Sequence, residues 1–318
     1  MILTCYYDLR YQPNTFDFAI FLAGANAYGE LIKATSLAVK IICPEYRKVT
    51  ERETLYDNDE KAWRTYNILQ RLPHLLPKLH SVTWSKEPPE LVDLPCYPPP
   101  LIETQNKLYV SYIQEFQNIG YSNFIAFRFL KSKFFAFPEA MKPFVAPEHA
   151  LALTKKKYGA NFITISLRAN RFQPLRNSNL QSWHAVCDYI ASKGLQPIIL
   201  PDFEDYFNAQ SFKEMKHPVA HEAMLDLNLR MALYENAKHN LTVSGGASPL
   251  LLCSKAPYSI FKWVVPGIFS CSPEHHRNFN DLNFGEKVWF MTDSQSLLWA
   301  DDSLDFVMGH LKIMFDNV

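Results

Sequence analysis

Residues 161–202 hold two short apolar runs separated by a polar turn and an amphipathic segment, an order that restricts the fold more than any other feature of this chain. The apolar runs cover residues 161–167 and 197–200, and residues 180–193 between them carry apolar side chains at helical spacing. The pattern predicts a strand, a loop, a helix and a second strand, which together form one βαβ unit. In open sheets built from such units, ligands bind outside the carboxyl ends of the strands.

The loop of this unit, residues 168–179, is basic and is called the basic turn below. Residues 149–187 contain six Lys or Arg and no Asp or Glu, whereas the chain average predicts about four acids over that length. Guanidinium groups bind phosphate oxygens in a bidentate geometry. We therefore predict that Arg168, Arg171 and Arg176 bind an anion, a phosphate or diphosphate above all. A surface arginine paired with an acid elsewhere in the fold is the alternative for Arg168.

Three polar residues close to the strand ends are further candidates for ligand binding. Asn177 and Asn179 precede the predicted helix, and either can cap it, but free N–H groups at a helix start also bind anions. Asp202 ends the second strand, where acids of nucleotide-binding α/β folds accept hydrogen bonds from ribose hydroxyls. A solvated loop acid is the alternative for Asp202.

A second turn that could bind an anion lies at residues 244–248 and is called the glycine turn below. It consists of Ser244, Gly245, Gly246, Ala247 and Ser248, and it follows a predicted strand. Without Cβ atoms an anion can approach the backbone N–H groups closely. A tight turn that needs glycine only for positive φ is the alternative.

Strands alternate with helices in both halves of the chain. Further strands are predicted at residues 2–7, 37–43, 79–84, 241–244, 258–264 and 288–291, and helices at residues 222–239 and 302–315. The length of 318 residues favours two domains. We expect an α/β fold of two Rossmann-like domains with parallel sheets that face each other across a cleft. The expected boundaries are 1–145, 146–300 and a terminal helix, 301–318, that packs back on the first domain.

Composition excludes several classes of function. Thirty-two basic residues balance thirty-two acidic ones, so no global field favours nucleic acid. The six cysteines form no C-x-x-C pair, and neither dinucleotide nor Walker glycine motifs occur, so no metal and no cofactor is predicted. No uncharged apolar stretch approaches the ~18 residues of a transmembrane helix, and the N-terminus lacks a basic leader. A cytoplasmic protein is expected, with peripheral membrane attachment left open.

The run Ile163-Thr-Ile-Ser-Leu-Arg168 followed by a basic turn resembles a motif of GT-B glycosyltransferases, in the branch of the nodulation and O-fucosyltransferases. The glycine turn is similar to the phosphate-binding turn of the same domain. The His-x-Arg-Arg pattern common in that branch reads Ser166-Leu-Arg168-Ala169 here. The resemblance implies a nucleotide-sugar-binding C-terminal domain, an acceptor-side N-terminal domain, and metal-independent transfer of a sugar from a nucleotide-diphosphate donor to a glycan or other hydroxyl acceptor.

An inverting transferase of this kind also needs a general base on the side of the N-terminal domain. Asp8 and Asp17 lie around the first βα turn and are the candidates. Two other functions stay open from the residues alone. One is a nucleotide-sugar epimerase or hydrolase on the same fold, and the other is a non-catalytic α/β protein that binds a nucleotide.

Overall fold

The computed structural model describes residues 1–43, 54–100, 107–117, 124–202 and 216–316. The chain divides into two compact units, Met1–Val145 and Ala146–Val318. Each unit contains a parallel β-sheet, of four strands in the first and five in the second. The predicted α/β class with two Rossmann-like sheets is therefore confirmed. Among the described residues, no helix is both long enough and apolar enough to cross a bilayer.

The sheet of the first unit has the strand order β3-β2-β1-β4. Strand β1 (Ile2–Asp8) lies between two neighbours and is buried from its second residue onward. Helix α1 (Asp17–Leu31) packs its aromatic side chains on β1, with the rings of Tyr7 and Phe18 4.3 Å apart. The other elements are β2 (Ser36–Ile42), α2 (Asn58–Arg64), a π-helical turn (Thr65–Gln70), 3₁₀ turns (Leu72–Leu75 and Pro138–Met141), β3 (Leu79–Ser85), β4 (Cys96–Tyr97), α3 (Tyr109–Gln117) and α4 (Phe127–Phe134).

The sheet of the second unit has the strand order β6-β5-β7-β8-β9, and all its pairs are parallel. Its elements are α5 (Glu148–Tyr158), β5 (Phe162–Ser166), α6 (Leu180–Ser192), β6 (Gln196–Leu200), α7 (Glu222–Leu225), α8 (Leu227–Asn236), β7 (His239–Val243), α9 (Ser248–Leu252), β8 (Tyr258–Phe261), α10 (Pro273–Asn280), β9 (Gln295–Leu297) and α11 (Leu304–Asp316). Trp183 of α6 is fully buried against this sheet. Val307 and Leu311 of α11 join the same core, so the described apolar contacts of the terminal helix lie within the second unit.

Two predicted elements of this unit differ from the structure. The helix predicted over residues 222–239 is broken at Asp226, whose extended backbone and side-chain Oδ1 cap α8 through the N–H groups of Asn228 and Leu229. The strand predicted over residues 288–291 is an irregular segment. Its apolar side chains Val288 and Phe290 are buried, but the sheet pairing is made by β9 a few residues later.

The order of the second sheet fixes where a ligand can bind. The chain leaves β5 toward β6 on one side and returns to β7 on the other, so the strand order reverses between β5 and β7. Crevices at the carboxyl ends of strands beside such a reversal are the usual ligand sites of open α/β sheets. The basic turn follows β5, Asp202 follows β6 and the glycine turn follows β7. The fold therefore brings the predicted ligand-binding residues of the second unit to one edge of one sheet.

Candidate functional site

Arg168 is buried inside the basic turn, with 4% of its surface exposed. Its guanidinium donates to the carbonyl oxygens of Phe172 at 2.5 Å and Gln173 at 3.1 Å, and to Oδ1 of Asn177. Its own N–H donates to Oγ of Ser178 at 2.8 Å. These contacts tie the turn to itself. In its described contacts Arg168 holds the loop in shape, and the direct phosphate contact expected from the sequence stays a prediction.

Asn177 is engaged in the same way. Its Oδ1 accepts from Arg168 and from the N–H of Asn170 at 2.9 Å, and its Nδ2 donates to the carbonyl of Asn170 at 3.1 Å. Asn179 caps α6, since its side chain accepts from the N–H of Ser182. Capping therefore accounts for Asn179, whereas Asn177 bonds residues within the turn; ligand contact by either residue stays a prediction. Arg171 lies at the surface of the turn with its side chain exposed.

Arg176 differs from Arg168 because one of its guanidinium N–H groups has no acceptor among the described residues. Its Nη1 donates to Oε1 of Gln173 at 3.0 Å, and its Nη2 lies 3.4 Å from the carbonyl oxygen of Ser244. Its Nε is buried and has no hydrogen-bond partner among the described residues. A buried guanidinium N–H without an acceptor is costly, and a bound anion would satisfy it. Arg176 therefore keeps one guanidinium donor without an acceptor among the described residues, next to the glycine turn.

The glycine turn packs directly against these arginines. A Cβ at Gly245, where φ is +133°, would lie 2.8 Å from Cδ of Arg168 and 3.3 Å from Nη2 of Arg176. A Cβ at Gly246, where φ is +53°, would lie 3.3 Å from Oδ1 of Asp202. Both glycines are therefore required by backbone conformation and by close neighbours. The glycine turn thus lies against Arg168 and Arg176 at Gly245 and against Asp202 at Gly246.

The N–H groups of the glycine turn are only partly used. Oγ of Ser248 accepts from the N–H of Gly245 at 3.0 Å, and the N–H of Ser248 donates back to the carbonyl of Gly245 at 3.0 Å. The N–H groups of Gly246 and Ala247 have no acceptor among the described residues. Successive residues with positive and then negative φ, as here, point their N–H groups into a shared concavity that binds anions.

Asp302 and Lys262, which the sequence analysis did not select as site residues, hold the basic turn in place. Asp302, 1% exposed, accepts through Oδ2 from the N–H of Asn179 and from Nε1 of Trp183, both at 2.8 Å. Nζ of Lys262 donates to Oδ1 of Asp302 at 3.1 Å and to the carbonyl of Asn177 at 2.9 Å. Lys262 has a φ of +58°, an uncommon conformation for a residue with a side chain. The sequence offered one indication of Lys262, namely a lysine immediately after the residues that form β8.

The two predicted general bases lie in the first unit and have different surroundings. Asp8, fully buried at the end of β1, accepts from Nη2 of Arg10 at 2.6 Å and from the hydroxyl of Tyr109 at 3.1 Å. This ion pair raises the pKa of Arg10, chiefly through the hydrogen bond to Asp8. Asp17 begins α1, is half-buried, and accepts from the hydroxyl of Thr15 at 2.8 Å. Asp8 is thus anchored by a cation, while Asp17 is held by one neutral hydroxyl among the described groups.

No protein-family model and no curated protein sequence matches this chain. Similar solved structures include a family 9 glycosyl transferase from Veillonella parvula, with a TM-score of 0.49 and 9% identity over 98% of this chain and 89% of that one. An E. coli heptosyltransferase with ADP-2-deoxy-2-fluoro heptose has a TM-score of 0.44 and 10% identity over all of both chains. POFUT1 in complex with GDP has a TM-score of 0.35 and 11% identity over 84% of this chain and 98% of that one. Identities of 9–11% and TM-scores below 0.5 do not identify a substrate or an activity, which have to be inferred from the site itself.

Proposed function

We propose that the chain is a glycosyltransferase that holds the diphosphate of a nucleotide-sugar donor between the glycine turn and Arg176. The observation that carries this proposal is the pairing of two N–H groups, those of Gly246 and Ala247, with a buried guanidinium Nε that likewise has no acceptor among the described residues. Arg176 follows β5 and the two N–H groups follow β7, on the two sides of the strand reversal, and Nη2 of Arg176 lies 3.4 Å from the carbonyl oxygen of Ser244. An anion with several oxygens is the ligand that satisfies all of them.

The same donors give the site its chemistry. When a sugar leaves a nucleoside diphosphate, negative charge develops on the bridging and terminal phosphate oxygens. Fixed donors aimed at those oxygens stabilise the departing group without rearranging, which is an electrostatic form of catalysis. Arg168 supports this arrangement from behind, because its side chain fills the space that Gly245 leaves free. Asp202, beside Gly246, is placed to accept from the hydroxyls of the nucleoside.

The acceptor hydroxyl needs a base, and Asp17 is the better candidate of the two carboxylates. Asp8 is paired with Arg10 and accepts a hydrogen bond from Tyr109. If the buried carboxylate of Asp8 took up a proton, this ion pair would be broken. Asp17 has no such cation among its described contacts. We propose Asp17 as the general base and Asp8 as an anchor for the first βα turn.

Calorimetric titration of GDP, UDP and ADP into the protein tests the nucleotide site. Arg176→Ala should weaken the binding of the preferred diphosphate by about 1.5–3 kcal/mol, roughly 10- to 150-fold, as expected for a charge-assisted hydrogen bond. Arg277→Ala, which removes an exposed arginine of α10, is the matched control and should leave affinity unchanged. Equal affinity of the Arg176→Ala and wild-type proteins would refute the site. Release of nucleoside diphosphate from a bound nucleotide sugar only when an acceptor is added would separate transfer from epimerisation or hydrolysis.

A further inference from the structure

The first unit contains a cavity that the nucleotide site does not use. It has a volume of about 630 Å³ and lies where β2 and β3 end, between Cys43 and Trp84 on the sheet side and α2 with the π-helical turn on the other. This volume falls within the ~300–1,000 Å³ range of small-molecule sites. The cavity occupies the carboxyl edge of a parallel sheet, the edge at which such folds bind ligands. π-Helical turns are rare and occur frequently at functional sites.

The two aromatic side chains of the cavity are unusually open. Trp84 is 36% exposed and Tyr66 is 50% exposed. The guanidinium of Arg71 covers the Tyr66 ring at 5.0 Å and bonds its hydroxyl at 3.0 Å. The indole of Trp84 makes no ring or cation contact with any described residue. It therefore offers a flat apolar face that a ligand can cover, with the energetic gain of burying a large aromatic surface.

The polar groups of the cavity are mostly neutral. Asn58 and Gln70 are exposed, and neither side-chain amide has a hydrogen-bond partner among the described residues. Thr65 adds a hydroxyl, which accepts from Nδ2 of Asn14 at 2.6 Å. Each amide supplies donors and an acceptor side by side. Such groups match a ligand with neighbouring hydroxyls, each of which both donates and accepts.

The charge of the lining argues against an anionic ligand as the main occupant. Lys61 is the charged side chain among the described lining residues, and it is 8% exposed and has its own partners. Burial, together with the nearby carboxylate of Asp8, raises the pKa of the Cys43 thiol, so the thiol stays neutral near pH 7. The charges of a phosphate-rich ligand would find little compensation here, whereas a neutral ligand needs only hydrogen-bond partners for its polar groups.

We propose that this cavity binds a saccharide, with one face of the sugar ring on Trp84 and its hydroxyls on Asn58 and Gln70. Saccharide binding stands by itself. The further step, that the bound sugar is the hydroxyl acceptor of the transfer reaction, rests on the proposed function. Because the cavity and the glycine turn lie in different units, variants of one can be tested without altering the other.

Saturation-transfer NMR with glucose, galactose, N-acetylglucosamine and lactose, each mixed with the full chain, is the direct test. At least one of these sugars should receive saturation from the wild-type protein. Trp84→Ala should weaken its binding on the order of tenfold, and Trp84→Phe, which keeps an aromatic face, by much less. Asn58→Ala and Gln70→Ala should each weaken binding roughly 2- to 10-fold, as for a single neutral hydrogen bond. Gln181→Ala, on the exposed face of α6, is the matched control and should bind normally.

Three results would overturn the proposal. The first is the absence of saturation for every sugar tested, and the second is sugar binding that is unchanged in both Trp84→Ala and Gln70→Ala. The third is stronger binding of adenosine or hexanol than of any sugar at the same cavity, which would reject the ligand class. Circular dichroism and thermal denaturation of each variant, measured in parallel, show that the chain is folded. Wild-type protein that binds a sugar but no nucleoside diphosphate would remove the proposed function and leave the saccharide site standing.

Discussion

The basic turn and the glycine turn lie at the same edge of the same sheet, but they differ in how many of their polar groups already have hydrogen-bond partners. In the basic turn, Arg168 and Asn177 use their side chains on the loop itself. In the glycine turn, the N–H groups of Gly246 and Ala247 have no acceptor among the described residues. The turn with the most charge is thus the more closed of the two. Under the proposed function, the glycine turn together with Arg176 is the binding surface, and the rest of the basic turn is the scaffold that holds it.

Removal of Asp302 should give the largest effect, because it tests whether the basic turn is a scaffold. Asp302→Ala leaves Nε1 of Trp183 and the N–H of Asn179 without an acceptor, and it removes the buried one of the two carboxylates that contact Lys262. Breaking a buried ion pair from one side costs about 3–5 kcal/mol. Chemical denaturation should show a loss of this size in the free energy of unfolding. Asp301→Ala, at an exposed neighbour that also contacts Lys262, is the control and should cost less than about 1 kcal/mol. Equal losses for the two variants would argue against the scaffold.

Arg168 and Arg176 can be compared directly. Arg168→Ala removes three hydrogen bonds inside the basic turn and leaves the carbonyl of Phe172 without a donor among the described residues, so it should lower the free energy of unfolding by about 3 kcal/mol. Arg176→Ala removes one bond to a side chain and one weak contact, so it should cost less than about 1 kcal/mol while abolishing most diphosphate affinity. Thermal denaturation without ligand separates the two. Similar stability losses would erase the distinction between scaffold and binding surface.

Part of this site follows from sequence and part cannot. The strands at residues 161–167 and 197–200 were predictable because short apolar runs end at polar turns, and the strand ends then placed Arg168, Asp202 and the glycine turn on one edge. The contacts of Arg168 within the turn were not predictable, since two of its three acceptors are backbone carbonyls, which every residue has. Asp302 lies 123 residues from Asn179 along the chain, so no local pattern links them.

Two histidines at the opposite edge of the same sheet allow a test by pH of whether that edge affects the glycine turn. His239, at the start of β7, bonds Ser259 at 2.9 Å, and Ser259 bonds His310 at 2.8 Å. Burial, with a smaller contribution from His310, lowers the pKa of His239 from 6.5 to about 4. Between these values the unfolded chain binds the proton and the folded chain does not. Stability should therefore be complete above about pH 6.5 and fall as the pH decreases toward 4, by at most about 3 kcal/mol.

His239→Gln is the variant that isolates this contribution. The unfolding free energy of the variant, measured from pH 7 to pH 4, should fall by less than that of the wild type, and the difference should correspond to one proton. The glycine turn at the other end of β7 contains no titrating side chain. Diphosphate affinity of the folded protein, once corrected for ligand ionisation, should be the same in variant and wild type. An affinity that changes with the His239→Gln substitution would mean that the two edges are coupled through β7.

The smallest expected effect concerns the glycine turn alone. Gly246→Ala must keep a φ of +53°, which costs an alanine roughly 1 kcal/mol, and its Cβ would lie 3.3 Å from Oδ1 of Asp202. Gly285→Ala carries the same backbone penalty at φ +87° but meets nothing within 4 Å, so it is a matched control. Both variants should lose about 1 kcal/mol of stability, whereas only Gly246→Ala should weaken diphosphate binding, on the order of fivefold, because the crowded Cβ turns the adjacent N–H groups away from their common point. Calorimetry on the pair isolates those amides from the arginines. If both variants bind diphosphate as the wild type does, the open N–H groups are not the binding surface, and the contrast between the two turns has no functional meaning.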